Sequence, residues 1–240
     1  MKVKILSDTH GKHLDEPQDK VDLLLHCGDA TNYREEFRNE QEWWYFWEWW
    51  TGYPAKYKVY VPGNHDSFLD SLSGRKFIKQ INKNSSISGL YILINKTIII
   101  EGLKIFGSPY TPTFGNWSFM RSRDKIYKNW TLIEEGTDIV ITHGPPKGIL
   151  DLAPSYGRNP GAVELCGDSA LLKAIEKIKP QYHFFGHIHD NSAGRNNGLL
   201  FRGEVSYGNC SQMVDGELHK GLQHKGMIIE IKSRKNGNNK

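Results

Sequence analysis

Short apolar runs that stop abruptly at polar residues recur along this chain of 240 residues. Each run has four or five residues and is closed by Gly, Pro, Asp or Asn, which is typical of a buried strand that passes into a loop. The five runs are KVKIL before SDTH, VDLLL before HCGD, KVYV before PGNHD, DIVI before THGPP and YHFF before GHIHD. Two further strands are predicted around TIIIEGLKIFG and KGMIIEIK.

Helical segments lie between these strands. The clearest is GDSALLKAIEKIKP, where Asp168 or Ser169 caps the start, apolar residues share one face and Pro180 follows the end. Strands interleaved with helices predict a layered α/β domain, in which ligands bind at the C-terminal ends of the strands. All five polar motifs lie at such ends. We predict one domain over residues 1–232 and a disordered basic tail over 233–240.

Composition limits the classes of function. No apolar run approaches the roughly 18 residues needed to cross a bilayer, so no membrane partner is expected. The formal charge is +4, but four cations lie in the last nine residues, so the rest of the chain is neutral and gives no support for nucleic-acid binding. Cys27, Cys166 and Cys210 lack metal-ligand spacing, which indicates free thiols in a reducing compartment. With no signal-peptide pattern, we expect a cytoplasmic protein.

The polar residues at the five strand ends are of metal-ligand type. They are Asp8, His10, Asp29, Asn64, His65, His143, His187 and His189. Carboxylate, imidazole and amide donors without a thiolate suit Mn, Fe, Zn or Ni. Asp8 and His10 lie two positions apart on a segment expected to be extended, so both can bind one ion, and GHIH has the same spacing. Asp29 has two oxygens and could bridge two ions about 3.5–4 Å apart, the arrangement that clamps a phosphoryl group.

Each motif alone has a purely structural alternative. A D-x-H pair is common, a Gly-Asp pair after a strand is often a turn, and His143 alone could cap or pack. Five separate strand ends that each supply a ligand-type residue are not explained by turns. The set together therefore predicts a metal centre.

The motifs SDTH, CGDA, PGNHD, THGPP and FGHIHD, in this order, resemble the signature blocks of the calcineurin-like metallophosphoesterase superfamily over residues 1–210. This resemblance implies a four-layer α/β/β/α sandwich, with two mixed sheets flanked by helices. It implies phosphodiester hydrolysis by a hydroxide that bridges two divalent ions, Mn foremost, with Fe, Zn, Ni or Co as alternatives. GSPYTPTFGNWSF and THGPPKGILD are similar to the metallophosphoesterase-domain-containing group, which resembles class III cyclic-nucleotide phosphodiesterases. That similarity implies a small phosphodiester substrate, with nucleotides among the candidates.

The resemblance also implies roles for individual residues. Its ligands are, for one ion, Asp8, His10, Asp29 and His189 and, for the other, Asp29, Asn64, His143 and His187. His65 is not a ligand in the family; it faces the phosphate and is the candidate for protonating the leaving oxygen or stabilising the transition state, beside the shared Asp29. Asn64 is also a candidate substrate contact. Asn116, Trp117 and Arg121 could reach substrate from the loop after GSPYTP, although a surface salt bridge explains Arg121 equally well.

One position departs from a branch of the superfamily. In the phosphoprotein phosphatases, an acidic residue three positions past the Gly-Asp aspartate partners the active-site histidine. That position is Asn32 here, and the D-R-G continuation is missing. This argues against a protein Ser/Thr phosphatase and leaves open what orients His65. Asp66 is adjacent, but neighbours on an extended segment point apart.

The segment EWWYFWEWW holds five of the seven tryptophans. Helical spacing over residues 37–50 predicts that one face packs on the sheet. That face comprises Trp43, Phe46, Trp47 and Trp50. Tyr45 and Trp49 are predicted to face outward with acidic residues, whose charge opposes phosphate backbones and anionic lipid. The helix is therefore predicted to be scaffold, with an outward homodimer contact as the alternative.

Other functions remain open at this stage. A phosphomonoesterase or a nuclease of the same fold is an alternative enzyme, although a nuclease needs a basic groove that the neutral composition does not indicate. A non-catalytic, metal-bound adaptor that docks a partner through the tryptophan-rich helix is an alternative of another class.

Overall fold

The computed structural model describes residues 1–155 and 162–232, so the tail predicted over 233–240 lies outside the described residues. The strands are β1 (Lys2–Leu6), β2 (Val21–His26), β3 (Ala55–Tyr60), β4 (Leu90–Ile92), β5 (Lys96–Ile100), β6 (Leu103–Ser108), β7 (Thr111–Pro112), β8 (Met120–Arg121), β9 (Ile139–Thr142), β10 (Leu152–Pro154), β11 (Val163–Leu165), β12 (Tyr182–Phe185), β13 (Gly198–Arg202), β14 (Val205–Asn209) and β15 (Met227–Glu230). The α-helices are α1 (Glu36–Gly52), α2 (Ser67–Asp70), α3 (Leu72–Lys83), α4 (Ser85–Ser88), α5 (Tyr127–Trp130) and α6 (Ser169–Ile178). None of the helices in these ranges is long and apolar enough to span a membrane.

The strands form two mixed sheets that carry the polar motifs. The first has the order β15-β1-β2-β3-β4, in which β1 to β4 run parallel and β15 is antiparallel. The second has the order β13-β14-β12-β9-β6-β5, in which both edge strands are antiparallel to their neighbours. Within each sheet the parallel strands end at one edge, so the loops that follow them can share a site.

Alternation along the strands divides the apolar residues between layers. Ile105 of β6 lies fully buried between the sheets with Leu25 of β2 and Ile141 of β9. Its neighbour Phe106 points to the opposite face, into the cluster that contains Ile175 of α6. Successive side chains of a strand face opposite sides, so each sheet supports an inner and an outer layer. The predicted four-layer α/β/β/α sandwich is confirmed.

Helix α6 has the predicted bounds and cap. The Asp168 carboxylate accepts a hydrogen bond from the backbone N–H of Ala170 at 2.9 Å, as an N-cap residue does. Leu171 and Ile175 are buried on the face toward the second sheet. The other Asp168 oxygen accepts the indole N–H of Trp130 at 2.6 Å, which joins α6 to α5.

Helix α1 buries most of the tryptophan-rich segment against the first sheet. Trp43, Phe46 and Trp50 are fully buried, as predicted, and Tyr45 is 70% exposed, as predicted. Trp47 is only half-buried because it lies at the rim of the core. Its ring packs there against Phe77 of α3, with 5.0 Å between ring centroids. The segment is therefore mainly scaffold.

The outward position predicted for Trp49 is wrong. Its side chain is only 7% exposed, and its ring lies 5.3 Å from the rings of both His13 and Tyr53. His13 belongs to a 3₁₀ turn between β1 and β2, and Tyr53 caps the end of α1. These two segments pack against the side of α1 that carries Trp49. The prediction from helical periodicity assumed that only the sheet would bury residues of this helix. Trp49 is not available for a homodimer contact.

Candidate metal centre

The loops after five parallel strands bring the predicted ligands together. They follow β1, β2, β3, β9 and β12. Three groups of side chains have ligand atoms within 4.8 Å of one another: Asp8, His10 and His189; His10, Asp29 and His65; and Asp29, His143 and His187. Asp29 belongs to two of these groups. It shares one group with His10, a predicted ligand of one ion, and another with His143 and His187, predicted ligands of the second ion.

The first group directs nitrogen lone pairs at a common point. His10 Nδ1 donates to the carbonyl of Thr31 at 3.2 Å, and His189 Nδ1 lies 2.9 Å from a carboxylate oxygen of Asp215. Both Nε2 atoms therefore face inward, 3.4 Å apart, and His189 Nε2 lies 3.5 Å from Asp8 Oδ1. Two imidazole lone pairs beside a buried carboxylate are a donor set that fits a divalent cation.

The second group has the same construction. His143 Nδ1 donates to the carbonyl of Cys27 at 2.9 Å, which turns Nε2 into the centre. That Nε2 lies 2.9 Å from Asn64 Oδ1 and 3.2 Å from Asp29 Oδ2. The His187 ring is 4.8 Å from the His143 ring. One carboxylate, one amide oxygen and two imidazoles here also fit a divalent cation.

Burial and neighbouring charges shift the pKa values of the predicted ligands in opposite directions. Burial alone raises the pKa of Asp29, but the adjacent histidines outweigh it and hold that pKa well below its ordinary range. Burial lowers the pKa of His143 and His189, yet nearby carboxylates raise these pKa values to about 9 and about 10. At His10 and His187 burial dominates, and their pKa values fall to about 4 and about 3. Since ligands must be deprotonated, cation binding would release protons from His143 and His189.

The backbone of the centre departs from the extended geometry expected for D-x-H and H-x-H. Positive φ angles of 56°, 41°, 57° and 69° occur at Asp8, His10, Asp29 and His187. Side chains therefore converge through left-handed turns rather than through strand alternation, and such conformations cost energy and cluster at functional sites. A Cβ atom at Gly186 would overlap Asp8 Oδ2, and one at Gly63 would overlap Asp29 Oδ1. Gly186 and Gly63 thus allow their backbone to lie close to the Asp8 and Asp29 carboxylates.

His65 is oriented by backbone and by an aromatic ring. Its Nδ1 donates to the carbonyl of Asn32 at 3.2 Å, so the Asn32 backbone occupies the role left open by the missing acidic side chain. The His65 ring packs on Trp117, with centroids 4.4 Å apart, and meets the edge of His10 at 4.7 Å. The guanidinium of Arg34 covers the Trp117 ring at 3.9 Å. Nε2 of His65 remains available to the centre.

Asp66 does not contact the His65 ring. Its carboxylate instead joins the loop after β2 to the loop after β3, which carries His65. Its carboxylate accepts backbone N–H groups from Asp29 at 3.0 Å, Gly63 at 2.7 Å and Thr31 at 3.1 Å. It also accepts the hydroxyl of Tyr60 at 2.6 Å. Burial and then the charge of Asp29 raise the pKa of Asp66 to about 6.

Two polar residues of α1 hold the loop that carries Asn32. Glu42 accepts the backbone N–H of Asn32 at 2.6 Å and that of Tyr33 at 3.0 Å. Asn39 donates to the carbonyls of Tyr33 and His65, both at 2.7 Å. Periodicity groups Glu42 with the outward acidic residues, but its carboxylate faces this loop. The tryptophan-rich helix thus anchors the metal centre through its polar positions.

The sequence of this chain matches the model of a known protein family. The sequence model described as "Calcineurin-like phosphoesterase" matches residues 1–191, the range that contains every predicted ligand. The chain belongs to this family.

Known relatives align with most of this chain. Metallophosphoesterase domain-containing protein 1 of Homo sapiens is 32% identical over 223 residues, which cover 86% of this chain and only 64% of the human protein. A UPF0046 protein of Caenorhabditis elegans is 34% identical over 226 residues, which cover 90% of this chain and 71% of that protein. The crystal structure of TT1561 from Thermus thermophilus has a TM-score of 0.56 at 13% identity, over 88% of this chain and 90% of its own. That likeness shows the fold alone.

Arg121 contacts neighbouring residues of its own chain. Its guanidinium donates to the hydroxyl of Tyr110 at 3.1 Å and to the carbonyl of Met120 at 2.9 Å. It also lies 4.2 Å from the centre of the Tyr110 ring. The role of Arg121 in substrate binding stays a prediction, as does the division of ligands between two ions.

Asp215 is a residue that sequence reasoning missed. It lies in the loop after β14, in no motif, and a backbone bridge between Asp190 and Val214 brings it to His189. A carboxylate behind a ligating imidazole fixes its tautomer and raises its basicity. The contact between Asp215 and His189 depends on pairing of segments that are distant in sequence, so no local pattern predicts it.

Replacing Asp215 with Ala is expected to weaken binding of one Mn²⁺ ion by about 10- to 100-fold, with Asp215→Asn intermediate. Calorimetric titration of metal-stripped protein measures both sites. Glu217→Ala, which removes a carboxylate of the same loop that pairs with Lys220, should leave both affinities unchanged. Equal weakening of the two sites by Asp215→Ala would contradict the assignment.

Proposed function

We propose that this phosphoesterase is a dinuclear metal-dependent phosphodiesterase that hydrolyses small phosphodiesters, with cyclic nucleotides among the candidate substrates. The observation that supports it most is the position of Asp29, which lies within ligand distance of His10 on one side and of His143 and His187 on the other, so that one carboxylate could serve two ions. Two bound divalent ions, Mn²⁺ foremost, would neutralise the phosphate charge and lower the pKa of the attacking water.

The chain's own residues position the substrate and supply a proton. Because the Asn32 carbonyl takes the Nδ1 hydrogen of His65, a proton carried on Nε2 is directed toward the centre. Trp117 and His10 hold the imidazole between them, so it has one orientation. His65 is therefore the group proposed to protonate the leaving oxygen.

Two cavities at the centre favour a diester over a monoester. A cavity of about 650 Å³ is lined by His10 and Asn32, and another of about 520 Å³ is lined by His187 and His189. An acyclic phosphodiester carries two organic groups, whereas a phosphomonoester carries one. The neutral charge of the chain without its tail favours small diesters over nucleic acid.

The test uses metal-stripped protein resupplied with Mn²⁺. We expect bis(p-nitrophenyl) phosphate to be hydrolysed only after Mn²⁺ is restored, and faster than p-nitrophenyl phosphate. A preference for the monoester would instead support a phosphomonoesterase. Binding of Mn²⁺ without turnover of either ester would support the adaptor.

Replacing His65 with Gln should lower kcat by on the order of 10²-fold for a diester with an alkyl leaving group. The loss should be smaller for p-nitrophenolate, a good leaving group that needs little protonation. Steady-state kinetics on both diesters, together with unchanged Mn²⁺ stoichiometry, provide the measurement. An equal loss for the two leaving groups would exclude His65 as the proton donor.

A further inference from the structure

An exposed phenylalanine stands against a predicted metal ligand. Phe114 lies in the connection between β7 and β8 and is 56% exposed, yet its ring is 5.2 Å from the ring of His187. It therefore contributes little to the core. Aromatic side chains next to a few polar groups are a feature of the walls of ligand cavities.

Phe114 forms one wall of the cavity of about 520 Å³ that opens on His187 and His189. The remaining apolar wall is built from Pro112, Pro145, Ala153, Pro154 and Ile188. Proline and alanine side chains lose little conformational entropy when a ligand orders them. The cavity thus has a rigid apolar lining in contact with the metal centre.

The charged side chains of this cavity already have protein partners. Arg123 donates to two backbone carbonyls, at 3.1 and 3.2 Å. Glu164 accepts from the hydroxyl of Ser155, and Asp215 pairs with His189 at 2.9 Å. The cavity therefore suits an uncharged group better than a second phosphate or carboxylate.

The β7–β8 connection divides the centre into two sides. Trp117 packs on His65, which is grouped with His10 and Asp29, whereas Phe114 packs on His187, on the other side of Asp29. A leaving oxygen must lie near its proton donor, so it belongs on the side of His65. The organic group that stays on phosphorus is then directed to the side of Phe114.

We infer that the cavity beside Phe114 binds the ester group retained on phosphorus and selects a flat, uncharged aromatic group there. The inference rests on the proposed phosphodiesterase function and deepens it. Aromatic rings prefer offset-stacked or edge-to-face contacts, which an exposed phenylalanine offers to an entering ring. A retained methyl group would gain no such contact.

The test compares two diesters with one leaving group, bis(p-nitrophenyl) phosphate and methyl p-nitrophenyl phosphate, in the Mn²⁺-loaded protein. We expect wild type to prefer the diaryl ester in kcat/KM. Phe114→Ala should reduce this preference by on the order of 3- to 10-fold, mainly through KM, and leave the methyl ester nearly unaffected. Phe201→Ala removes a 76% exposed phenylalanine of β13 that does not line this cavity, and should leave kcat/KM for both esters unchanged.

The outcomes separate the inference from the function on which it rests. Diester turnover with an unchanged preference in Phe114→Ala, or with no aryl preference in wild type, would overturn the inference alone. An equal loss for both esters would mean that Phe114 acts by placing His187, which also overturns it. Absence of diester turnover in wild type with two Mn²⁺ bound would overturn both.

Discussion

Asp29→Ala is expected to lower Mn²⁺-dependent diester turnover by about 10³- to 10⁴-fold, because it removes several kcal/mol of transition-state stabilisation. Asp29 is grouped with His10 on one side and with His143 and His187 on the other, and its Oδ2 lies 3.2 Å from His143 Nε2. Its other oxygen accepts the backbone N–H of His65 at 2.7 Å, so the variant also releases the proposed proton donor. Turnover and Mn²⁺ stoichiometry should fall together.

Two controls make this expectation specific. Asp29→Asn keeps an acceptor for the His65 N–H but removes the charge, so its turnover should also fall steeply if charge on the bridge is what matters. Asp22→Ala removes an exposed carboxylate of β2 and should retain wild-type turnover. Turnover of Asp29→Ala within tenfold of wild type, in a folded protein, would exclude Asp29 as a shared ligand.

Trp43→Ala is expected to lower the free energy of unfolding by about 3–5 kcal/mol, through lost apolar burial and a residual cavity. The Trp43 ring is fully buried and contacts the rings of Tyr60 at 5.1 Å and Phe77 at 6.2 Å, which belong to β3 and α3. Trp44→Ala, one position along and 43% exposed, should cost less than about 1 kcal/mol. Urea denaturation of both variants supplies the comparison.

A cost for Trp44→Ala as large as that for Trp43→Ala would contradict the assigned face of α1. The adaptor and homodimer alternatives need an exposed outer face on α1, where Trp49 is buried and Tyr45 remains exposed. A change in oligomeric state after Tyr45→Ala, at unchanged stability, would give the outer face of α1 a role in association.

Local sequence was sufficient where neighbours along the chain decide the structure. The strand-to-loop transitions, the Asp168 cap of α6 and the burial of Trp43 follow from patterns a few residues long. The candidate ligands were predicted to lie together for the same reason, since each follows the end of its own strand and parallel strands share an edge. The D-x-H geometry was misjudged because positive φ angles are uncommon at non-glycine residues, so the pattern D-x-H alone does not predict them at Asp8 and His10.

The tertiary structure decided what supports those ligands. Asp215 behind His189, the Asn32 carbonyl behind His65 and the Asp66 carboxylate between two loops all act across segments that are distant in sequence or through the backbone. Trp49 is buried by His13 and Tyr53, which lie outside the helical pattern from which its position was predicted. The sequence by itself determined which chemical groups this protein brings to its centre, because side-chain chemistry and strand ends are local. Their orientation and the cavity at Phe114 depend on long-range contacts, which a one-dimensional pattern does not specify.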